Sequence, residues 1–314
     1  MRTFIRNIFV FLFLLLSWAS AYGEQWGIVN VSVCNTRSDP YYSAGQESQA
    51  LLGMPVRVLD HKNEWTRIET PEGYVHWTLG STLKEVSRQE LTQWNQKRQL
   101  VVTNLFSLVY QKPSRKSQTV SDAVAGDRFC LLGRKGKFYH VLFPDGREGW
   151  IPRSEAEPLD EWRAHISREP DAIIRTAFRL VGVPYMWAGT SPKGVDCSGF
   201  VRTVLYMHDI IIPRNASQQA QKGERIKIDP DFANVQPGDL LFFGSGEHVV
   251  HVGIYLGNKR FIHSLGFVHE NSFDPQDPLY DEYDRHRLLF ASRMLPYINK
   301  EKGLFTTDQS EFYR

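Results

Sequence analysis

The sequence predicts a multidomain protein in which two small all-β barrels precede an α+β domain. Three observations carry that reading. A repeat at a constant offset of 73 residues runs through the N-terminal part in strand-and-turn patterns, helix-spaced apolar residues follow it, and from Pro237 the chain turns to strands. With 314 residues, 42% hydrophobic and 13% aromatic, the chain is long enough for two or three packed cores.

Taken in order, residues 1–21 read as an export leader: Arg2 and Arg6, the apolar run Ile8 to Leu16, then Ala19-Ser20-Ala21 as a small-residue cleavage site. The run falls short of the ~20 residues a spanning helix needs, so no membrane anchor is expected after cleavage. Losing Arg2 and Arg6 lowers the 37 basic residues by two, to match the 35 acids, and a neutral chain gives no reason to expect nucleic-acid binding. Three cysteines, Cys34, Cys130 and Cys197, form no even-numbered disulfide framework, although a single Cys34 to Cys130 bridge stays open.

The repeat aligns Ser48, Ala50, Gly53, Val58, Trp65, Ile68, Pro71, Gly73 and Trp77 with Ser121, Ala123, Gly126, Leu131, Phe138, Val141, Pro144, Gly146 and Trp150, without a gap. Each copy has short alternating strands and a Pro-acid-Gly turn, which suits a barrel that closes its own sheet edges. The expected units are residues 22–88 and 100–160, joined by 89–99 as a short helix or ordered linker in which Trp94 packs against a barrel. Residues 161–299 form the α+β domain, and 300–314 read as a polar tail with little claim to order.

In that domain Asp171 to Leu180 keeps helical spacing, and Gly182 and Pro184 end it. Tyr185, Trp187 and Gly189 then approach Asp196-Cys197-Ser198-Gly199-Phe200, where Phe200, Val201, Val204 and Leu205 mark a buried helix face. Cys197 therefore opens a helix with Asp196 as its N-cap, and first-turn N–H groups favour an anion, so the thiol is expected to ionise readily. A lone cysteine is more often a small buried hydrophobe. The glycine-rich approach and two downstream histidines favour a nucleophile instead.

Strands are expected at Leu240 to Phe243, His248 to Leu256, Arg260 to Ser264 and Arg287 to Leu295. With Gly257-Asn258-Lys259 as a three-residue hairpin loop, Gly253 faces His263 and His251 lies two residues along on the same side. The imidazoles become diagonal neighbours, giving nucleophile, base and orienter. His248 and His269 lack a comparable partner. Zinc would need three or four ligands and only Cys197, His251 and His263 converge, so the reading is thiol chemistry without metal or cofactor. Tyr185, ahead of the glycines, is a candidate donor to a developing oxyanion.

Tyr185 to Gly189, Asp196 to Phe200, Pro213-Arg214-Asn215-Ala216-Ser217-Gln218-Gln219, Pro237 to Phe243 and His251 to Gly257, in this order and spacing, resemble the NlpC/P60 cysteine peptidases. Both repeat copies resemble bacterial SH3 (SH3b) domains, and the whole arrangement is similar to the γ-D-glutamyl-diamino-acid endopeptidases of that family. The resemblance implies a papain-like domain with Cys197 as nucleophile, His251 as base, His263 as third polar residue, and Tyr185 with the Cys197 N–H at the oxyanion. Asp196, Ser198, Trp187, Asn215, Glu47, Tyr74 and Trp77 join the oxyanion and substrate-binding set. The implied substrate is the γ-D-glutamyl amide of peptidoglycan stem peptides, met by a monomer in the periplasm or outside the cell, with preference for a free N-terminal L-Ala.

Two departures remove negative charge: relatives usually carry an acid where Asn215 stands, and often another where Gly45 aligns, with Glu47 close enough to compensate. The first barrel is expected to wall the cleft, some residue of 44–48 or 74–78 lying near Cys197. Competing readings are a wall-binding protein with a decayed catalytic domain, against which the three intact residues argue, and an acyltransferase on the same fold.

Overall fold

The structure, a computed structural model, describes residues 24–314; the leader read at residues 1–21 lies outside them. Strands β1 (Gln25–Val29), β2 (Val33–Arg37), β3 (Gln46–Leu51), β4 (Pro55–Lys62), β5 (Trp65–Glu69), β6 (Val75–Leu79) and β7 (Leu83–Ser87) form a sheet ordered β3-β2-β6-β5-β4-β1-β7. Helix α1 (Arg88–Gln96) follows, started by a capping box between Ser87 and Glu90. It buries Leu91 and Trp94 in a cluster that includes Trp26, Ile28 and Cys130, which bridges the two barrels.

The second barrel, β8 (Gln99–Val102), β9 (Phe106–Tyr110), β10 (Thr119–Val124), β11 (Arg128–Lys135), β12 (Phe138–Leu142), β13 (Glu148–Pro152) and β14 (Ala156–Pro158), has the order β10-β9-β13-β12-β11-β8-β14, position for position that of the first. Strands β2 to β6 and β9 to β13 begin and end 73 residues apart, so the sequence repeat is a repeat of structure. The barrels meet at equivalent turns: Asp127 accepts from Leu52 N at 3.0 Å, and Arg128 N donates to Leu52 O at 2.9 Å. A Cβ on Gly53, which has φ of 79°, would lie 2.3 Å from Arg128 O, so only glycine permits this approach.

Helices α2 (Leu159–His165) and α3 (Pro170–Phe178) lead to the short pair β15 (Thr190–Ser191) and β16 (Gly194–Val195), then α4 (Cys197–Tyr206). After β17 (Ile210–Ile211), α5 (Ala216–Gln219) and β18 (Glu224–Ile226) come β19 (Leu240–Ser245), β20 (His248–Gly257), β21 (Arg260–Leu265), β22 (Phe267–Ser272), α6 (Glu282–Arg287), β23 (Leu288–Arg293) and β24 (Phe305–Thr306). The six-stranded sheet runs β18-β23-β19-β20-β21-β22. Phe200, Val201 and Val204 of α4 pack with Leu240, Phe242, Val252, Ile254 and Ile262 of this sheet, the alternation the sequence implies. Among the described residues no helix is long and apolar enough to cross a membrane.

Three expectations need correction, and one open question is answered. Residues 300–314 are no loose tail: β24 pairs with β17, and Leu304 and Phe312 are buried. Three residues of the expected final strand fall elsewhere, since Arg287 ends α6 while Met294 and Leu295 follow β23. The β20 to β21 loop has two residues, Asn258 and Lys259, both at positive φ, with Gly257 opposite Arg260. A bulge at Leu256 adds back the missing residue, so Gly253 still faces His263. Cys34 and Cys130 are buried free thiols in different clusters, not a bridge.

Candidate active site

The approach to Cys197 is a tight turn in which Gly189 N donates to Met186 O at 2.9 Å and Ala188 takes a φ of 60°. That backbone lets Ala188 N donate to Asp196 Oδ2 at 3.0 Å while Asp196 Oδ1 caps α4 by accepting from Gly199 N at 2.7 Å. Gly199 is required by packing, because a Cβ there would lie 1.9 Å from Gly189 O. Asp196 does more than cap. Arg214 Nη2 donates to its Oδ2 at 2.6 Å, both side chains being largely buried. Arg214 also donates to Ser198 Oγ at 2.9 Å and, from Nε, to Ser48 Oγ of the first barrel at 3.1 Å. Ser198 Oγ in turn donates to Asp196, so this hydroxyl belongs to the ion-pair network rather than to the oxyanion site.

The thiol does not behave as the helix start alone suggests. Burial and the Asp196 carboxylate push Cys197 up to about 11, against the opposing pull of the Ser198 and Val252 N–H groups and of Arg214. The expected depression is therefore present but outweighed. Contact with Val252 N–H sets the sulfur beside the backbone of β20, one residue past His251.

His251 and His263 meet as expected, ring centroids 5.0 Å apart and His251 Nε2 2.7 Å from His263 Nδ1. A Cβ on Gly253 would press on His263 Cβ at 3.1 Å, which explains the glycine between them. The network settles the protons. Asn271 Nδ2 donates to Leu279 O at 3.4 Å, so its Oδ1 faces His263 Nε2 at 2.8 Å and must accept. His263 then keeps an unprotonated Nδ1, which accepts from His251 Nε2–H, and neutral His251 is left with a free lone pair on Nδ1. Burial, then His263, Arg287 and His269, lower His251 to about 3, and burial foremost lowers His263 to about 4. The two imidazoles are a neutral, hydrogen-bonded pair.

Asn271 escaped the sequence reading, as did Asp284 on α6. The latter is fully buried with Oδ2 3.5 Å from His263 Nδ1, and is raised to about 6 by burial and Asp281. His251, His263 and Asp284 converge as ligands to a metal could. Yet 2.7 Å between the two imidazole nitrogens is hydrogen-bond spacing, against ~3.3 Å for two nitrogens held tetrahedrally on zinc. His269, read as partnerless, stands opposite His263 with ring centroids 4.7 Å apart, while His248 is exposed.

A cleft opens over Cys197, lined by Tyr185, Trp187, Asp196, Ser198, Arg214, Asn215, Val249 and Val250, and by Gln46 and Glu47 of the first barrel. The barrel is therefore a wall of the cleft, as expected. Trp187 Nε1 donates to Gln46 O at 3.1 Å, Asn215 Nδ2 donates to Tyr74 OH at 3.0 Å, and Tyr74 OH donates to Glu47 Oε2 at 3.4 Å. Burial and the Cys197 and Asp196 charges raise Tyr185 to about 12, which keeps its hydroxyl a donor. Trp77 is not a cleft residue: on β6 the inward positions are His76 and Thr78, and Trp77 lies between the backbones of Arg37 and Arg67. Gly45 has open space where a side chain would stand.

A model of the NlpC/P60 family matches residues 182–289. The chain is 34% identical over 230 residues to a gamma-D-glutamyl-L-lysine dipeptidyl-peptidase of Bacillus cereus, covering 69% of this chain and 67% of that protein. To dipeptidyl-peptidase 6 of Lysinibacillus sphaericus it is 29% identical over 265 residues, 81% and 93% of the two chains. A crystal structure of an NlpC/P60 family protein from Bacillus cereus superposes with a TM-score of 0.72 at 26% identity, over 86% of this chain and 100% of that one. Since both the identity and the superposition extend well beyond the cysteine–histidine domain into the β domains, this chain belongs, as a cysteine peptidase, to the NlpC/P60 family.

Proposed function

We propose that the protein is an exported peptidase that hydrolyses the amide joining γ-D-glutamate to a diamino acid in peptidoglycan stem peptides. Cys197 gives its proton to His251 Nδ1 as the sulfur attacks the γ-carbonyl carbon. The oxyanion is held by the Cys197 N–H and the Tyr185 hydroxyl. His251 then protonates the departing amine of the diamino acid, and water, deprotonated by the same nitrogen, releases the glutamyl product. His263 acts through His251, fixing its tautomer and carrying part of the imidazolium charge.

The observation that carries this reading is the His251–His263–Asn271 relay, which leaves His251 Nδ1 unprotonated one residue from the Val252 N–H that meets the Cys197 sulfur. The names of the relatives support the substrate class. Glu47 supports recognition of a free N-terminal ammonium, because Arg214 already neutralises Asp196, the other acid lining the cleft. Incubation with L-Ala-γ-D-Glu-diaminopimelate tests all of it by product analysis. Release of free diamino acid is expected, undiminished by a chelator and abolished by Cys197→Ala, whose circular dichroism should match wild type. Transfer of the acyl group to an added amine in preference to water would favour the acyltransferase reading, and no turnover at all would favour a decayed domain.

A further inference from the structure

Behind the histidine pair, Asp284 of α6 is fully buried and its Oδ2 has no hydrogen-bond partner. An unpaired carboxylate oxygen in the interior costs free energy that packing alone does not return. That oxygen faces the relay: it stands 3.5 Å from His263 Nδ1, and the polar atoms of His251, His263 and Asp284 all lie within 4.8 Å of one another. The other oxygen accepts from Arg287 Nη1 at 3.3 Å, and Asp284 N donates to the Asp281 N-cap at 2.9 Å, so α6 fixes the carboxyl in place.

In the resting enzyme this acid has no cation in the relay to answer. His251 Nε2–H already occupies His263 Nδ1, and both the thiol and the imidazole are neutral, Cys197 being pushed up to about 11 and His251 down to about 3. Charge appears only during the reaction. As the Cys197 sulfur attacks the γ-carbonyl carbon its proton goes to His251 Nδ1, and the positive charge spreads through the Nε2–H bond to His263 Nδ1. That nitrogen is the atom Asp284 faces.

We propose that Asp284 is a positioning residue, a fixed counter-charge acting through His263 on the imidazolium of the thiol–histidine reaction proposed above, on which this role rests. Asp284 takes no proton and forms no bond. The proton passes from sulfur to His251 Nδ1 and from there to the departing amine, and the carboxylate opposes its charge throughout. With no charge on the relay before attack, the carboxylate lowers the barrier and leaves substrate binding alone.

The charged and titratable groups that face Asp284 are His251 of β20, His263 of β21 and His269 of β22, with Asp281 and Arg287 of α6 itself; β19, which also packs on α6, carries none. Burial and Asp281 push Asp284 up to about 6, against the pull of Arg287 and His269. The counter-charge is therefore present above pH 6 and lost as pH falls through that value, before either imidazole of the pair protonates.

The test follows kcat/KM for L-Ala-γ-D-Glu-diaminopimelate against pH in full-length wild type, Asp284→Asn and Arg287→Gln. Wild type should show an acid limb near pH 6. Asp284→Asn, with circular dichroism matching wild type, should lose about 10- to 100-fold in kcat with KM little changed, and its profile should lack that limb. Arg287→Gln keeps the carboxylate and removes a cation that lowers it, so the plateau should hold while the limb moves to higher pH. Alkylation of Cys197 by iodoacetamide, followed by mass spectrometry of the modified peptide, needs no substrate and should slow about tenfold or more in Asp284→Asn. Wild-type kcat in Asp284→Asn, or a limb near pH 6 that survives there, overturns the proposal. Equal loss in both variants with the limb unmoved also overturns it, by making Asp284 only an anchor for α6. If Asp284→Asn does not fold, an unmoved limb in Arg287→Gln decides against the role. A wild type that alkylates readily yet leaves the tripeptide intact counts against the proposed reaction, while the alkylation ratio still decides the role of Asp284.

Discussion

At Asn271 a single amide orders the protons of the whole relay. Its Oδ1 can only accept, which forces His263 Nε2 to donate and leaves His251 Nδ1 free. Asn271→Leu removes the acceptor, and kcat should fall about 10- to 100-fold with KM little changed, as for other residues that orient a ligand or base. Asn271→Asp keeps an acceptor and should retain most activity while shifting the pH profile. Equal kcat in wild type and the leucine variant would remove Asn271 from the relay. Cys197, His251 and His263 were legible because reactive residue types at fixed spacing around glycines leave a signal in one sequence. Asn271 was not, since Phe267-Val-His-Glu-Asn-Ser272 shows no clean alternation and an asparagine there looks like solvent-facing polarity. Asp284 was hidden similarly: α6 has six residues, too few for a periodic apolar face.

Among elements, the β3 edge of the first barrel and the Asn215 N-cap of α5 meet through Tyr74, and this junction brings Glu47 to the cleft. Asn215 is thereby engaged in docking and capping, so under the proposed reaction Glu47 is the acid left to read an ammonium group. Glu47→Gln should narrow the discrimination between free and N-acetylated L-Ala-γ-D-Glu-diaminopimelate by about ten- to a hundredfold, the ~1.5 to 3 kcal/mol of a charged hydrogen bond. Gly45→Asp, placed in open space, should restore part of it. A ratio of kcat/KM values that is unmoved by Glu47→Gln would show that the amine is read elsewhere. That the barrel forms the cleft wall was legible from its short connectors. The identity of the contacts was not, because Trp77 and Tyr74 look alike as exposed-type aromatics, yet Trp77 sits in β6 opposite Arg37 and Arg67 while Tyr74, ahead of β6, bonds Asn215 and Glu47.

Over the whole molecule, the duplicated barrels were readable because their offset holds through five strands without a gap. The packing of residues 300–314 was not, since Leu304-Phe305 and Phe312-Tyr313 are two isolated apolar pairs among polar neighbours. Stability should depend on acid in a way composition does not suggest. Burial lowers His76 to about 3 and His208 as well, in addition to His251 and His263. Below pH ~6.5 the unfolded chain binds protons these four refuse, so each costs up to ~1.4 kcal/mol per pH unit down to its folded value. Asp127 and Asp284, raised by burial, act oppositely but are outnumbered. Thermal melts should show Tm steady between about pH 7 and 8 and falling between 6.5 and 4.5; a flat Tm across the acid range would mean that water reaches these rings. The segment from Leu304 to Arg314 has one more consequence. Glu311 pairs with Arg57 of the first barrel, Tyr313 lies under Arg128 of the second at 4.6 Å, and Tyr313 OH meets Tyr206 OH of the cysteine helix at 3.1 Å. One short segment thus touches all three units, so a single substitution at Tyr313 removes contacts to the second barrel and to the cysteine helix at once.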